Sequence, residues 1–177
     1  GMKFRGLNEL ARALMATVAV GSAQAQVVAD LGVHPDPFLF QTGTVAAGSF
    51  ADIYSFTVPD GFDLLGSVLN AASSESLDGP VSSITGGSYV LVGAGADDTF
   101  STVDDTFSPN FAFDNTTGAV LNATIGGPGL YAYVISGVGS EPNGGSYGLT
   151  SFIGPSPLPP IPEPSSYALM LAGLAAM

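Results

Sequence analysis

Between residues 26 and 154 the apolar residues fall in short runs separated by turn residues, and in the best of these runs they recur with a period of two, the spacing of an extended strand. The clearest run is residues 48–58, GSFADIYSFTV, in which Phe50, Asp52, Tyr54, Phe56 and Val58 fall on the same face. The same reading predicts strands at 38–45, 50–58, 64–70, 81–84, 88–92, 107–113, 120–125, 130–136 and 146–153. Between them stand Pro59-Asp60-Gly61, Asp78-Gly79-Pro80, Gly86-Gly87, Gly126-Gly127-Pro128-Gly129 and Asn143-Gly144-Gly145. Each is a turn with a mechanism, positive φ tolerated by Gly or Asn, or φ preset by Pro. Many short strands separated by such turns predict an all-β fold, a single antiparallel β-sandwich of jelly-roll type.

Composition agrees with the pattern. Gly, Ser, Thr and Val are abundant, and Lys, Glu and Gln, which favour helices, are nearly missing from 26–154. That stretch of about 130 residues is long enough for one core and too short for two ordinary domains. Its hydrophobic content is high for a disordered segment.

The two ends break the pattern. Lys3, Arg5 and Arg12 precede the apolar stretch Ala13–Val20, and Ala23-Gln24-Ala25 supplies a small-x-small cleavage pattern, so residues 1–25 read as an exported protein's signal helix, with Gln26 as the mature start. A buried N-terminal helix explains that order of features less well. From Pro155 to Pro164 six prolines form a semi-rigid linker, and residues 165–177 form a C-terminal apolar helix, read as a membrane segment in preference to a tail packed on the domain. Its run from Tyr167 to Met177 is shorter than the roughly 20 residues a spanning helix needs, so it is expected to continue past Met177.

Charge narrows the function. The full chain carries −12; residues 1–25 hold all three Lys and Arg but only one acid, Glu9, so the remainder has fourteen carboxylates, no cation other than His34 if protonated, and a formal −14. Such a surface repels phosphate backbones, which excludes nucleic-acid binding. It also means that a buried carboxylate has no Lys or Arg to pair with and needs N–H or hydroxyl donors, a proton or a metal ion. No cysteine is present, so disulfides and cysteine nucleophiles are excluded.

The C-terminal Ile161-Pro162-Glu163-Pro164-Ser165-Ser166 followed by the apolar run resembles the PEP-CTERM sorting signal of Gram-negative bacteria. The resemblance implies recognition of Pro162, Glu163 and Pro164 by an exosortase, transient membrane anchoring, export through the inner membrane after signal peptidase cleavage, and a place at the cell envelope, cell surface or outside. The arginine-rich tail that ends that signal is not present by Met177. The segment holding Phe50, Asp52 and Tyr54, with residues 129–137 and 144–149, looks like the FxDxF family of PEP-CTERM proteins, Tyr54 standing for the second Phe. The same regions are more loosely similar to bacterial pre-peptidase C-terminal domains, β-sandwich accessory modules. Together these resemblances imply a non-catalytic structural or adhesive protein associated with exopolysaccharide or biofilm. The contrasting reading is a secreted hydrolase, or a carbohydrate- or Ca2+-binding module of one.

An aspartate among aromatics needs a reason. Asp52 is read either as a ligand or metal site or as an acceptor for backbone N–H groups that pins the sandwich, and one carboxylate offers too few oxygens for calcium. A second acidic group, Asp97, Asp98, Asp104, Asp105 and Asp114, would be relieved of mutual repulsion by Ca2+. Its spacing matches neither an EF-hand nor a nonapeptide calcium repeat, which favours a solvated loop. No other cofactor is implied. A Ser-His-Asp arrangement would depend wholly on His34, the single histidine. A carboxylate-pair glycosidase would have to draw on the aspartates and on Glu75, Glu141 and Glu163, and Gly93-x-Gly95 lacks the rest of a phosphate-binding loop. The chain is expected not to be an enzyme.

Overall fold

The computed structural model describes residues 27–72, 82–113, 119–125, 127–155 and Leu174. The expected signal helix at 1–25, the Pro162-Glu163-Pro164 motif, Asp114 and, apart from Leu174, the expected C-terminal helix at 165–177 lie outside the described residues. Among the described residues there are ten strands: β1 (Val28–Val33), β2 (Phe38–Val45), β3 (Gly48–Val58), β4 (Phe62–Ala72), β5 (Ile84–Gly93), β6 (Thr106–Phe107), β7 (Phe111–Phe113), β8 (Ala119–Thr124), β9 (Gly129–Gly139) and β10 (Gly145–Pro155). They form a six-stranded sheet, β1-β3-β9-β5-β6 with β7 also on β5, and a four-stranded sheet, β2-β10-β4-β8. With β6 and β7 taken as one interrupted strand, the order is that of a jelly roll.

Three sequence expectations are corrected. The sandwich is not wholly antiparallel, because β1 pairs with β3 in parallel; Asp30 and Gly32 break its alternation, which hid it as a strand. Of the expected strand 81–84 only Ile84 falls in β5, which continues through the expected strand 88–92 to Gly93; Ser82 makes an isolated bridge and Val81 lies outside the described residues. Thr85 pairs with Val138 and Ser88 with Ser136, so one extra residue is bulged out at Gly86-Gly87, where Gly86 takes φ 59°. The expected strand 107–113 is broken at Ser108-Pro109-Asn110, where Pro109 has no N–H to give the ladder.

The main core lies between the sheets. β3 supplies Phe50, Tyr54, Phe56 and Val58, β9 supplies Tyr131, Tyr133 and Ile135, and they face Leu65 and Leu69 of β4 and Tyr147, Leu149 and Ile153 of β10. Phe56 stacks on Tyr133 at 5.1 Å and on Tyr131 at 6.1 Å between ring centroids. The opposite face of the six-stranded sheet is covered too. Ile53, Val92, Leu130, Ala132 and Val134 pack with Phe100, which the loop between β5 and β6 folds back over them. This second layer is why Ile53 is buried alongside its core-facing neighbours on β3.

Candidate functional site

The face of β3 that carries Phe50, Asp52 and Tyr54 turns inward, and antiparallel pairing places β9 beside it in continuous register from Gly48–Gly139 to Val58–Gly129. Asp52 is 1 % exposed. Its Oδ1 accepts the Val27 N–H at 3.1 Å and its Oδ2 accepts the Tyr147 hydroxyl at 2.5 Å. Since the Tyr147 proton goes to the carboxylate, Tyr54, 2.8 Å away, donates to the Tyr147 oxygen. Burial raises the Asp52 pKa above the ordinary carboxylate value, opposed by the bonds from Tyr147 and Val27. Burial also pushes the Tyr147 hydroxyl far up, and its bond to Asp52 adds to the rise.

Tyr147 is the member of this group that sequence reasoning missed. It belongs to β10, in the other sheet, so only the pairing of the sheets brings it to Asp52. The available signal was its place in the alternation Tyr147, Leu149, Ser151, Ile153, whose members are all buried. Phe50 stacks on the Tyr147 ring at 6.2 Å with 10° between planes, and Gly43 of β2 lies under it. A methyl group at Gly43 would overlap the Tyr147 ring. Phe50, Asp52 and Tyr54 are thus brought together with Tyr147 across the two sheets.

A second polar chain crosses the same core. The His34 Nδ1 lies 2.7 Å from the Pro35 carbonyl, which can only accept, so Nδ1 carries the proton. Nε2 then accepts from the Ser151 hydroxyl at 2.9 Å, and the Ser151 oxygen accepts from Tyr133 at 2.7 Å. His34 is 1 % exposed and Ser151 is wholly buried. Burial lowers the His34 pKa, against weaker raising effects of the Pro35 carbonyl and Asp36. The His–Ser contact resembles part of a nucleophilic triad, yet the third partner is a carbonyl and the hydroxyl has no route to solvent. Ser67 and Tyr89 form a third buried pair, 3.1 Å apart.

The acidic loop has a different geometry. Asp97 accepts the Thr99 N–H, Asp98 the Leu130 N–H, Asp104 the Ala96 N–H and Asp105 the Ser101 N–H, at 2.7–3.1 Å. The Asp104 pKa is lowered, first by the Thr102 hydroxyl and then by the Ala96 N–H. Among the described residues no three His, Asp or Glu side chains come together in a way that could hold a metal ion. Beside this loop a surface cavity of about 310 Å³ is lined by Gly93, Gly95, Ala96, Thr106, Pro128, Gly129, Leu130 and Tyr131. Among the described residues no helix is long and apolar enough to cross a membrane.

No protein-family model matches the chain, and no curated protein matches it. Among solved structures it is similar to the pre-peptidase C-terminal domain of a collagenase from Bacillus anthracis, at 19 % identity and TM-score 0.41, covering 72 % of this chain and 97 % of that one. It is also similar to PliG of Aeromonas hydrophila, a periplasmic inhibitor of g-type lysozyme, at 11 % identity and TM-score 0.43, covering 73 % of this chain and 100 % of that one.

Proposed function

We propose that this chain is an exported protein of the cell envelope or extracellular matrix of a Gram-negative bacterium, structural or adhesive in role and associated with exopolysaccharide. Signal peptidase releases it after Ala25, and an exosortase acts at Pro162-Glu163-Pro164. The observation that carries the reading is where the reactive groups go. Both His34 ring nitrogens and both Asp52 oxygens are bonded inside the core at 1 % exposure, so the domain presents carboxylates, hydroxyls and aromatic rings to its surroundings. Those are the groups of a surface that adheres or assembles. A second reading, a carbohydrate-binding accessory module of a secreted hydrolase, is favoured by the exposed rings of Phe38 and Phe40 on one sheet face.

The test is processing. Expressed from its full gene in a host with an exosortase, the protein should leave the membrane fraction with a mass that ends near Glu163, and Glu163→Ala should remain as an uncleaved precursor. Equal maturation of both forms overturns the sorting reading.

A further inference from the structure

Sheet edges are where a β protein risks pairing with another chain, and native edges are usually blunted by charge, proline or a covering element. Among the described residues the six-stranded sheet follows that rule. β1 carries Asp30 on one edge, and Asp104-Asp105 precede β6 on the other. β2 does not. It is eight residues long, FLFQTGTV, has no proline, and pairs only with β10 among the described residues. No charged residue stands between Pro37 and Ala51, in a chain of net charge −12. Its outward face shows Phe38 at 50 % and Phe40 at 73 % exposure, with ring centroids 6.1 Å apart.

We propose that β2 is a homotypic docking edge, at which two copies of this chain pair their β2 strands antiparallel about a two-fold axis and join two four-stranded sheets into one of eight. Charge selects this occupant. Two copies of so acidic a protein repel each other over most orientations, and β2 offers an approach that brings no carboxylate against its like. An isologous pairing also closes at the dimer. The paired strands exchange ladder hydrogen bonds, and with the axis at or beside Phe40 the phenylalanines of the two copies cover one another across the new seam. A seam within one strand of eight residues is smaller than a standard interface, so the dimer is a weak one that local concentration drives. Because the opposing force is long-range repulsion, salt strengthens this association. The inference does not depend on how the protein is sorted.

The chain has no cysteine, which allows a direct test on the full chain in detergent. Single cysteines are placed at Phe38, Phe40, Gln41, Thr42 and Thr44, with Val103→Cys, in a fully exposed loop position, as the background. Under mild oxidation one β2 position, the one on the axis, should give covalent dimers several-fold above Val103→Cys, with yields falling on both sides, since disulfides need Cα atoms about 4.4–6.8 Å apart. Raising salt from about 0.02 to about 0.2 M should increase that peak. Phe40→Glu in the peak background (Phe38→Glu if the peak is at Phe40) should lower it several-fold. Val103→Glu, which adds the same charge elsewhere, should leave it unchanged. A flat profile at the Val103 level overturns the proposal, as do equal effects of the two glutamates, or multimers beyond the dimer without a peak, which would mean pairing with a different edge.

Discussion

Removing the Asp52 side chain tests the organisation of the core most directly. In Asp52→Ala the Tyr147 hydroxyl, deep between the sheets, loses its acceptor, and so does the Val27 N–H at the start of β1. An unsatisfied buried donor costs about 1–3 kcal/mol. The Val27 side of the group is partly open to water, so the Tyr147 hydroxyl dominates and the sum is about 2–4 kcal/mol. At a domain length of about 130 residues this lowers the melting temperature by roughly 8–15 °C. Asp52→Asn separates charge from hydrogen bonding. Its amide oxygen accepts from Val27, and its NH2 donates to Tyr147, whose own proton then turns to Tyr54; both bonds are kept in reverse while the Tyr54 proton gives up its acceptor, so the loss is smaller than for Ala, about 1–2 kcal/mol.

The pH dependence of the two variants carries the sign. The folded Asp52 pKa lies above its ordinary value of 3.8, so the unfolded chain gives up this proton first. The stability that protonated Asp52 contributes is full below 3.8 and is lost as pH rises through the folded value. Asp52→Asn should therefore remove a decline in parent stability that begins above about pH 3.8, read from urea midpoints between pH 4 and 7. If Asp52→Ala melts within 2 °C of the parent, or if Asn and Ala are equally damaging, the hydrogen-bonded role assigned to Asp52 is wrong.

Other perturbations address the neighbouring elements. His34 has the opposite linkage: its pKa is lowered by burial, so its contribution is full above 6.5 and is lost as pH falls through the folded value, and His34→Gln should flatten that acid limb in melting curves taken from pH 5 to 7.5. Gly43→Ala should cost about 1–3 kcal/mol in urea unfolding, because the new methyl displaces the Tyr147 ring, whereas Gly148→Ala, with open space at its Cβ, should cost no more than about 1 kcal/mol. Phe100→Ala should release the loop between β5 and β6 from the outer layer over Ile53 and Val134, seen as faster amide exchange in 95–105 while the β9 core stays protected. Since Asp97, Asp98, Asp104 and Asp105 already accept main-chain N–H groups, calcium at about 1 mM should leave the melting temperature where chelator leaves it, and a rise of several degrees would show the loop rebuilding itself around the ion.

Much of the sandwich could be read from the chain because short apolar-rich runs are separated by turn chemistry, and because the period of two survives in a strand such as β10, buried on one face and only partly on the other. The inward set Phe50, Asp52, Tyr54, Phe56 and Val58 is found as the alternation predicts, and the turns at Pro59-Asp60-Gly61 and Asn143-Gly144-Gly145 join strands where turn chemistry placed them. The losses have local causes. A bulge at Gly86-Gly87 reads as a turn, since glycine serves both, and the six residues of β1 are recruited by pairing with β3 and not by their own pattern. The partnership of Asp52 with Tyr147 was out of reach for a different reason: it spans 95 positions and depends on which strands face each other across the core.

Charge composition and core chemistry are two sides of the same constraint. Past residue 25 there is no lysine or arginine, so this fold cannot neutralise a buried carboxylate with an ion pair. What it has are hydroxyls. Tyr54 and Tyr147 serve Asp52, Tyr133 and Ser151 serve His34, and Ser67 serves Tyr89, so that in each of these buried groups a hydroxyl does the work that a cation would do elsewhere. Such pairs demand direction from both partners, so they set the relative position of the two sheets more narrowly than apolar packing does. The same lack of cations leaves the exterior with carboxylates that repel each other and with neutral strips between them. Between two copies of the part past residue 25, then, specificity of contact cannot come from paired Lys or Arg and carboxylate groups. It has to come from where charge is missing, and β2 with its two exposed phenylalanines is such a strip, described along its whole length.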